Sequence, residues 1–483
     1  MSLYGDNDET YNNFSFENKS NLLDSRNCST RWEKVKVSSA TELTAAIQAA
    51  AVKLKVSTVI IINGVIQGNF VIPATINQIK LVGGKYNPTI TANGSGNPLK
   101  ILLGATVQIE NLKITGSGTK PGSGIVNYGT LSIFQTTITG NGGDAGIYNS
   151  GLIDICKSSI DNNYIGIDSE QGIITVKDSS ISNNSSTGIY IISGELYIDD
   201  SNINGNGADG FYNDYGSTVV IRKCQILNNL NYGIENYSLT SISDTTIDSN
   251  TLGGIYNGDS TCSVKNSNIT NHTSSGIYND ESSLSRVKNC TIADNNGSGI
   301  LNTNSSTIFI SDSKFLGNTN IRSGGAILND GSSIVSVSNC TFFGNSGAFG
   351  GAIDNSNFFT LLNSKLENNK ALNGNGGGIF NGTDASLVVK NTYIKDNTAT
   401  GAGGGICNEG TATVISDYIY HNSASQGGGI ANLTGSTLSL ITSKVKHNTA
   451  TSGIGGGGGI YNLGSLFEEA SEVCKNTPDQ IAP

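Results

Sequence analysis

The chain has 483 residues, a formal net charge of −10 and a pI near 4.9. Only 14% of the residues are charged and no basic cluster stands out, which argues against nucleic-acid binding driven by phosphate contacts. No apolar stretch is long enough to span a bilayer, and the start, MSLYGDNDETYNNF, lacks the basic and apolar regions of a signal peptide. We therefore expect no membrane span and no export by the usual signal-peptide route.

Residues 1–35 are polar and have no hydrophobic periodicity, so we interpret them as an N-terminal arm. The arm contains five aromatic residues, Tyr4, Tyr11, Phe14, Phe16 and Trp32. Aromatic residues are enriched at interfaces, which favours anchoring to a protein partner or homo-oligomerisation through the arm. The alternative is that the arm packs over the end of the fold that follows.

Residues 36–56 are predicted to form an N-terminal cap helix. Ser39-Ala-Thr-Glu42 matches a capping box, and the amphipathic segment ATELTAAIQAAA (40–51) follows it.

A Gly-Ile-x-Asn motif then recurs along most of the chain, for example at 146–149, 254–257, 276–279 and 459–462. Its isoleucines lie 20 to 23 residues apart as far as Ile300, and 24 to 30 residues apart beyond it. A second column pairs an apolar residue with a later Asn, as in SSISNN (179–184), and His272 takes the Asn place in one copy. A third column alternates apolar residues, as at Ile174 and Val176, which is the period of a strand with one buried face.

These columns predict an all-β fold, a single right-handed parallel β-helix solenoid of about 18 rungs over residues 57–465, with three short strands in each rung. We expect the Asn columns to be structural, forming ladders of stacked amides at corners where Asn tolerates the left-handed backbone. The longer C-terminal period predicts a loop that bulges outward. Residues 466–483 are predicted to form a C-terminal cap or tail, since Glu468 falls where the strand column requires an apolar residue.

Two C-terminal repeats pair Phe-x-x-Asn with Gly-Gly-Ala-Ile, at 315–318 with 324–327 and at 342–345 with 350–353. These strings resemble the repeats of polymorphic outer membrane proteins, which are surface adhesins. More broadly, residues 57–465 resemble the pectate-lyase-like right-handed β-helix superfamily. That resemblance implies either a passenger-like rod or, because many members act on polysaccharides, an enzyme. The polygalacturonase-like strings Asn-Thr-Asp, Gly-His-Gly and Arg-Ile-Lys are absent from the sequence.

The strongest candidate for a binding site is the acidic cluster of Asp178, Asp199 and Asp200. Register places Asp178 and Asp200 on adjacent rungs, so their carboxylates should lie about 5 Å apart, a spacing typical of retaining glycosidases and compatible with a cation. The alternative is a turn column that prefers Asp or Asn, since the equivalent position holds Asp244 and Asn266.

Two further residue types were considered for chemistry. His421 and His447 should stack on neighbouring rungs, but they lack an evident third metal ligand. The cysteines are widely separated, which indicates buried apolar side chains rather than disulfides or a metal framework. We predict no catalytic residue, no metal site and no cofactor.

The favoured hypothesis is a non-enzymatic structural or adhesive rod, displayed on the surface of a cell, spore or virion, with a protein or a surface glycan as partner. The alternative is a polysaccharide lyase, a glycoside hydrolase or a carbohydrate-binding protein. A defined acidic cleft with sugar-stacking aromatic residues would favour that alternative. A third hypothesis is a toxin or another self-assembling protein.

Overall fold

The structure is a computed structural model that describes residues 32–53, 56–118 and 120–483. Strands of successive turns pair in parallel and in register, so the chain rises as a single solenoid with one strand per sheet in each turn. Nineteen strands form the first sheet, which confirms the predicted β-helix of about 18 rungs with three strands in each rung.

The first sheet, sheet 1, consists mainly of five-residue strands. Its strands are Trp32–Val37, Ser57–Ile62, Ile79–Gly83, Thr106–Glu110, Thr130–Phe134, Leu152–Cys156, Ile173–Lys177, Gly194–Asp199, Ser217–Arg222, Leu239–Ser243, Thr261–Lys265, Leu284–Lys288, Thr307–Ser311, Ile334–Ser338, Phe358–Leu362, Ser386–Lys390, Thr411–Ile415, Thr437–Ile441 and Ser465–Glu469.

Sheet 2 follows sheet 1 in each turn and consists mainly of three-residue strands with a buried central residue. Its strands are Val65–Gln67, Thr89–Thr91, Lys113–Gly118, Thr137–Asn141, Ser159–Asp161, Ser180–Ser182, Asn202–Asn204, Gln225–Leu227, Thr246–Asp248, Asn268–Thr270, Thr291–Ala293, Lys314–Leu316, Thr341–Phe343, Lys365–Glu367, Tyr393–Lys395, Tyr418–Tyr420, Lys444–Lys446 and Glu472–Cys474.

Sheet 3 carries the Gly-Ile-x-Asn motif. Its strands are Phe70–Ile72, Leu99–Ile101, Ile125–Asn127, Ala145–Asn149, Ile165–Glu170, Ile189–Ile192, Phe211–Asn213, Tyr232–Asn236, Gly253–Gly258, Ile277–Asp280, Ile300–Asn302, Ile327–Asn329, Ile353–Asn355, Ile379–Asn381, Ile406–Asn408, Ile430–Asn432, Ile460–Asn462 and Ile481–Ala482.

A fourth sheet accounts for the longer C-terminal repeats. Its two-residue strands are Thr319–Asn320, Ser346–Gly347, Lys370–Ala371, Thr398–Ala399, Ser423–Ala424 and Thr449–Ala450. The extra residues begin with a strand that pairs in parallel with its neighbours. The backbone groups of these residues bond to the rungs on either side. The outward bulge of the residues that follow this strand stays a prediction.

The core runs along the axis of the rod. The isoleucine of each Gly-Ile-x-Asn motif, the central residue of each sheet 2 strand and the alternating pair in sheet 1 all point inward, and examples such as Ile147, Ile160 and Ile155 have no exposed surface. Aromatic residues stack inside as well, since the rings of Phe315 and Phe342 lie 4.8 Å apart and 7° from parallel. Cys224, Cys290 and Cys340 are free and buried, as expected.

The first asparagine ladder lies at the corner that follows sheet 2. Asn163 donates from Nδ2 to Oδ1 of Asn184 (3.1 Å) and to the carbonyl of Ile138 (3.1 Å). The backbone N–H of Asn163 also donates to Asn184 Oδ1 (3.0 Å). The buried amides of this ladder belong to Asn141, Asn163, Asn184, Asn206, Asn229, Asn250, Asn295, Asn318, Asn345, Asn369, Asn397, Asn422, Asn448 and Asn476.

A second ladder follows the strands of sheet 3 and uses the Asn of Gly-Ile-x-Asn. Asn257, for example, donates to Oδ1 of Asn279 at 2.8 Å, and Asn279 donates to Oδ1 of Asn302 at 2.7 Å. Ser169 replaces one Asn and accepts from Asn149 (3.3 Å), whereas the apolar Ile191 interrupts the ladder. Both predicted Asn columns are thus confirmed as ladders of side-chain hydrogen bonds.

The ladder asparagines do not adopt the left-handed backbone that was expected of them. In the first ladder it is the residue immediately before each Asn that does so, as at Asn162 (φ 54°), Asn183 (φ 53°) and His447 (φ 56°). The tight bend turns the chain, and the following Asn can then point inward and use all its amide atoms.

At the N-terminal end, the helix Ala40–Val52 packs Leu43, Ile47 and Ala50 against the core. Ser39 is the N-cap and accepts from the N–H of Glu42 (3.2 Å), while Glu42 reaches back to the N–H of Ser38 (2.6 Å). The capping box thus forms with Glu42 at its expected position, except that Glu42 accepts from the N–H of Ser38 rather than from that of the N-cap Ser39.

The ends of the rod extend beyond the regular repeats. Trp32–Val37 pairs with Ser57–Ile62, and Ser465–Glu469, Glu472–Cys474 and Ile481–Ala482 continue sheets 1, 2 and 3. The division into an arm (1–35), a cap helix (36–56), a solenoid (57–465) and a tail (466–483) stays a prediction. Residues 1–31 of the arm lie outside the described residues.

His272 occupies an Asn position in the first ladder. Its Nδ1 accepts from the N–H of Asn250 (3.0 Å), so the neutral ring carries its proton on Nε2. Nε2 is buried, and no group in the described part of the chain bonds to it. Burial lowers the pKa of His272 to about 4.

We predict that His272→Asn stabilises the protein. The amide would satisfy both neighbours in the ladder, whereas the imidazole leaves a buried donor unpaired, which costs on the order of 1–3 kcal/mol. Denaturant unfolding measures the change, and Asn295→His, which would place a second imidazole in the ladder, is the matched control that should destabilise. The parent should also lose stability as pH falls from about 6.5 towards 4, and the variant should lose less. A variant less stable than the parent would contradict this account.

Small polar residues form a further column, at the position just before the sheet 2 strands. The N–H of Ser179 donates to Ser201 Oγ (3.1 Å), and Ser201 Oγ donates to the carbonyl of Asp199 (2.8 Å). Asp417 replaces the hydroxyl in one rung, where its Oδ1 accepts from the N–H of Thr392 (2.6 Å). Its Oδ2 is buried without a hydrogen-bond partner among the described residues, and burial raises the pKa of Asp417 to about 7.

We predict that Asp417→Thr removes a pH-dependent loss of stability. In the parent, the raised pKa of Asp417 means that its neutral carboxyl contributes to the stability of the fold. This contribution is fully present below about pH 4 and is lost as pH rises through about 7. The threonine hydroxyl belongs to the column and does not titrate. The stability of Asp417→Thr relative to the parent should therefore be greater at pH 8 than at pH 4.5. Melting temperatures at the two pH values measure this, with Ser364→Thr in the same column as the control. An equal effect at both pH values would show that Asp417 does not change its charge.

Candidate functional site

The third position of Gly-Ile-x-Asn lies between two buried residues, so its side chain points out from sheet 3. Strand register places these residues directly above one another from rung to rung. In chain order the outward column reads Tyr148, Asp168, Tyr190, Tyr212, Glu235, Tyr256 and Tyr278. Tyrosines and carboxylates therefore share one continuous face.

Seven half-buried or exposed tyrosine rings form a connected cluster, which we call the tyrosine face. Its members are Tyr190, Tyr212, Tyr215, Tyr232, Tyr237, Tyr256 and Tyr278. Tyr190 and Tyr212 stack at 4.9 Å, and Tyr237 lies 5.6 to 5.7 Å from the rings of Tyr212, Tyr215 and Tyr256. The cluster continues through Tyr256 to Tyr278 at 5.2 Å and to Tyr232 at 5.5 Å.

Two glycines make room for the central rings. A Cβ at Gly258 would lie 2.7 Å from the Tyr256 ring and 3.0 Å from the Tyr237 ring. A Cβ at Gly253 would lie 3.0 Å from the Tyr232 ring. These rings therefore rest against the backbone of the sheet, with one side turned to solvent.

Carboxylates surround the rings and hold their hydroxyls. Tyr237 donates to Glu235 (2.9 Å), and at the near end of the column Tyr148 donates to Glu170 (2.8 Å). Burial, followed by the charge of Asp214, raises the pKa of Tyr212 to about 12, so its hydroxyl stays a neutral donor at ordinary pH.

Two carboxyl groups beside the tyrosine face have raised pKa values. Burial raises the pKa of Asp168 to about 6, helped by the charges of Asp144 and Glu170. Burial also raises the pKa of Asp209, with the charge of Glu235 adding to the effect. The strands that form this face contain no Lys or Arg, so the surface is acidic and rich in hydrogen-bonding groups.

The predicted acidic cluster lies elsewhere, at the turn between sheets 1 and 2. Asp199 is buried and forms two contacts with Arg222, Nε to Oδ1 at 3.1 Å and Nη2 to Oδ2 at 3.3 Å. Asp178 and Asp200 are exposed and line an open groove of about 750 Å³, and Asp200 lies 4.0 Å from Lys223 Nζ. Asp178 (φ 50°) and Asp200 (φ 48°) both have left-handed backbones, a conformation that Asp and Asn accept readily. Whether this cluster binds a ligand stays a prediction.

His421 and His447 do stack on neighbouring rungs, with ring centroids 5.4 Å apart and planes 13° from parallel. Within residues 32–53, 56–118 and 120–483, no group of three or more His, Cys, Asp and Glu side chains is arranged to hold a metal ion. The helix found in these ranges is too short to cross a membrane.

The tyrosine face was missed in the sequence because the third letter of Gly-Ile-x-Asn varies. The signal was nevertheless present, since Tyr stands there at 190, 212, 256 and 278 while carboxylates occupy other copies. Tyr232 and Tyr237 lie outside that position, and only the folded register brings them into the cluster.

The chain matches a family model described as the right-handed beta helix region, at residues 146–283 and 254–417, which together span more than half of its length. No curated protein matches the chain.

Several solved structures show some similarity to the chain. The A-module of the Azotobacter vinelandii mannuronan C-5 epimerase AlgE6 is 12% identical over 73% of this chain and 94% of that chain, with a TM-score of 0.39. The catalytic unit of a Streptomyces thermodiastaticus α-1,3-glucanase is 12% identical over 92% of this chain and 69% of that one, with a TM-score of 0.29. The Dettilon tailspike protein is 14% identical over 88% and 64%, with a TM-score of 0.29. Similarity at this level carries no conclusion about this chain.

Proposed function

Since the chain belongs to the right-handed β-helix family, we propose that it is a non-enzymatic adhesive rod whose tyrosine face binds an uncharged glycan. The observation that carries this proposal is the connected cluster of seven tyrosine rings with carboxylates among them. Display of the rod on the surface of a cell, spore or virion is part of the proposal.

The chemistry of the face favours a sugar ligand. Flat aromatic rings pack against the apolar faces of sugar rings, and carboxylates accept hydrogen bonds from sugar hydroxyls. The acidic character of the surface disfavours glycans that carry carboxylate or sulfate groups, because like charges repel. Successive rungs are about 4.8 Å apart, so a glycan chain lying along the rod meets one outward tyrosine or carboxylate at each step.

A polysaccharide-active enzyme is the second candidate, and Asp168 is the observation that favours it. A carboxyl with a raised pKa beside a second carboxylate is the usual pairing of acid and base in glycosidases. The two candidates differ in outcome, because only the enzyme releases new reducing ends from a bound glycan.

We predict that the protein binds neutral polysaccharides such as glucans or mannans and does not bind polygalacturonate or heparin. Affinity electrophoresis with each polysaccharide in the gel measures this binding. Tyr212→Ala/Tyr256→Ala should weaken it by at least about tenfold, since burying a large apolar side chain contributes about 1.5–3 kcal/mol. Phe358→Ala, which removes an exposed aromatic side chain from sheet 1, is the matched control and should bind like the parent.

The proposal fails if no neutral polysaccharide retards the parent protein, or if the double variant binds as well as the parent while remaining folded by circular dichroism. If the parent releases new reducing ends from a glycan and Asp168→Asn does not, the protein is an enzyme and the adhesive-rod proposal is wrong.

A further inference from the structure

A second aromatic surface of opposite charge lies on sheet 2 in the C-terminal rungs. We call it the basic aromatic face and define it by Lys365, Tyr393, Lys395, Tyr418, Tyr420, Lys444 and Lys446. Register places Lys365, Tyr393, Tyr418 and Lys444 in one outward column and Lys395, Tyr420 and Lys446 in the other.

The side chains of this face are ordered by one another. The rings of Tyr393 and Tyr418 stack at 5.2 Å and 14°, and Lys444 Nζ lies 5.1 Å from the Tyr418 ring centre and 3.3 Å from its hydroxyl. Tyr393 is 47% exposed and Tyr418 39% exposed, so both hydroxyls are accessible.

The lysines outnumber the carboxylates that contact them. Glu367 pairs with both Lys365 and Lys395, and Lys395 also lies near Asp396 (3.4 Å). Glu472 pairs with Lys446 at 2.6 Å. Lys444 contacts Tyr418 rather than a carboxylate, so the face keeps a net positive charge in a chain whose total charge is −10.

The two aromatic faces flank the same corner of the rod at different heights. Sheet 3 comes after sheet 2 in every turn, across the corner that holds the first asparagine ladder. The tyrosine face spans the rungs from Tyr190 to Tyr278, and the basic aromatic face spans those from Lys365 to Lys446. They therefore do not overlap within one copy and are free to meet between copies.

We propose that the basic aromatic face of one copy binds the tyrosine face of a second copy of this chain. Lys444 of the first, which contacts Tyr418 rather than a carboxylate, would pair with Glu235, Asp214 or a neighbouring carboxylate of the second. Both ladders repeat at the same rung spacing, so aligned rods bring ring against ring and charge against charge over several turns. This inference does not depend on glycan binding.

Because the two faces differ, the contact is heterologous. An open assembly therefore keeps one unused tyrosine face at one end and one unused basic aromatic face at the other. Such a contact grows into open chains of rods unless the rotation between copies closes a ring. The net negative charge of each copy opposes association, so the assembly should be weak and should depend on ionic strength.

Two blocked variants test the proposal. Tyr256→Ser/Glu235→Gln removes a ring and a charge from the tyrosine face, and Tyr418→Ser/Lys444→Gln does the same to the basic aromatic face. Sedimentation velocity of the parent at low salt should show a concentration-dependent series of oligomers that shrinks at high salt. Each variant alone should associate at least about tenfold more weakly than the parent.

The decisive sample is an equimolar mixture of the two variants, in which each supplies the face that the other lacks. It should form a one-to-one complex and nothing larger. A parent that stays monomeric at low salt overturns the proposal. So does a mixture that forms no complex although both variants match the parent in circular dichroism and melting.

Discussion

The constraint on which the structure depends is the parallel, in-register stacking of rungs. Each residue in a strand lies directly above the equivalent residue of the previous turn, about 4.8 Å away. In such a rod, the copy of a buried polar side chain in the next rung is placed to be its hydrogen-bond partner. Asn suits this arrangement because its amide both donates and accepts, which is why two columns of Asn run through the corners.

The same constraint shapes the outer surface. A residue type repeated at one outward position becomes a ladder, and a ladder of rings or charges becomes a face. The tyrosine face and the basic aromatic face arise in this way on different sheets and different rungs. Neither requires an inserted domain, although Tyr215 and Tyr237 of the tyrosine face lie in the turns that follow their sheet 3 strands.

Much of the fold could be predicted from the sequence, because the repeat is written in buried residues that change little from rung to rung. The three columns, the Asn ladders, the helix start at Ser39 and the stacking of His421 on His447 all follow from periodicity. The left-handed backbone was expected at each ladder Asn, but in the first ladder it occurs at the residue immediately before it. That error arose because Asn is common at both places, as in Asn162-Asn163 and Asn183-Asn184.

The candidate site was harder to predict, because it combines positions that vary. Asp178 and Asp200 are a pair of carboxylates on adjacent rungs. The same turn has a residue with a left-handed backbone in the neighbouring rungs as well, including Lys157 (φ 50°) and Lys223 (φ 52°). The tyrosine face depends instead on contacts between residues outside any one column, such as Tyr237 with Tyr212. Gly253 and Gly258 leave room for the rings, but the sequence alone does not distinguish them from other strand glycines.

The central claim is that ligands meet this rod on outward ladders of defined chemistry. Hydroxyl-radical footprinting with mass spectrometry, performed at high salt so that copies stay apart, tests it most directly. A neutral glucan should protect Tyr212, Tyr256 and Tyr278 from oxidation and leave Tyr393 and Tyr418 unprotected. Equal protection of both sets, or protection confined to the turn around Asp178 and Asp200, would contradict the account.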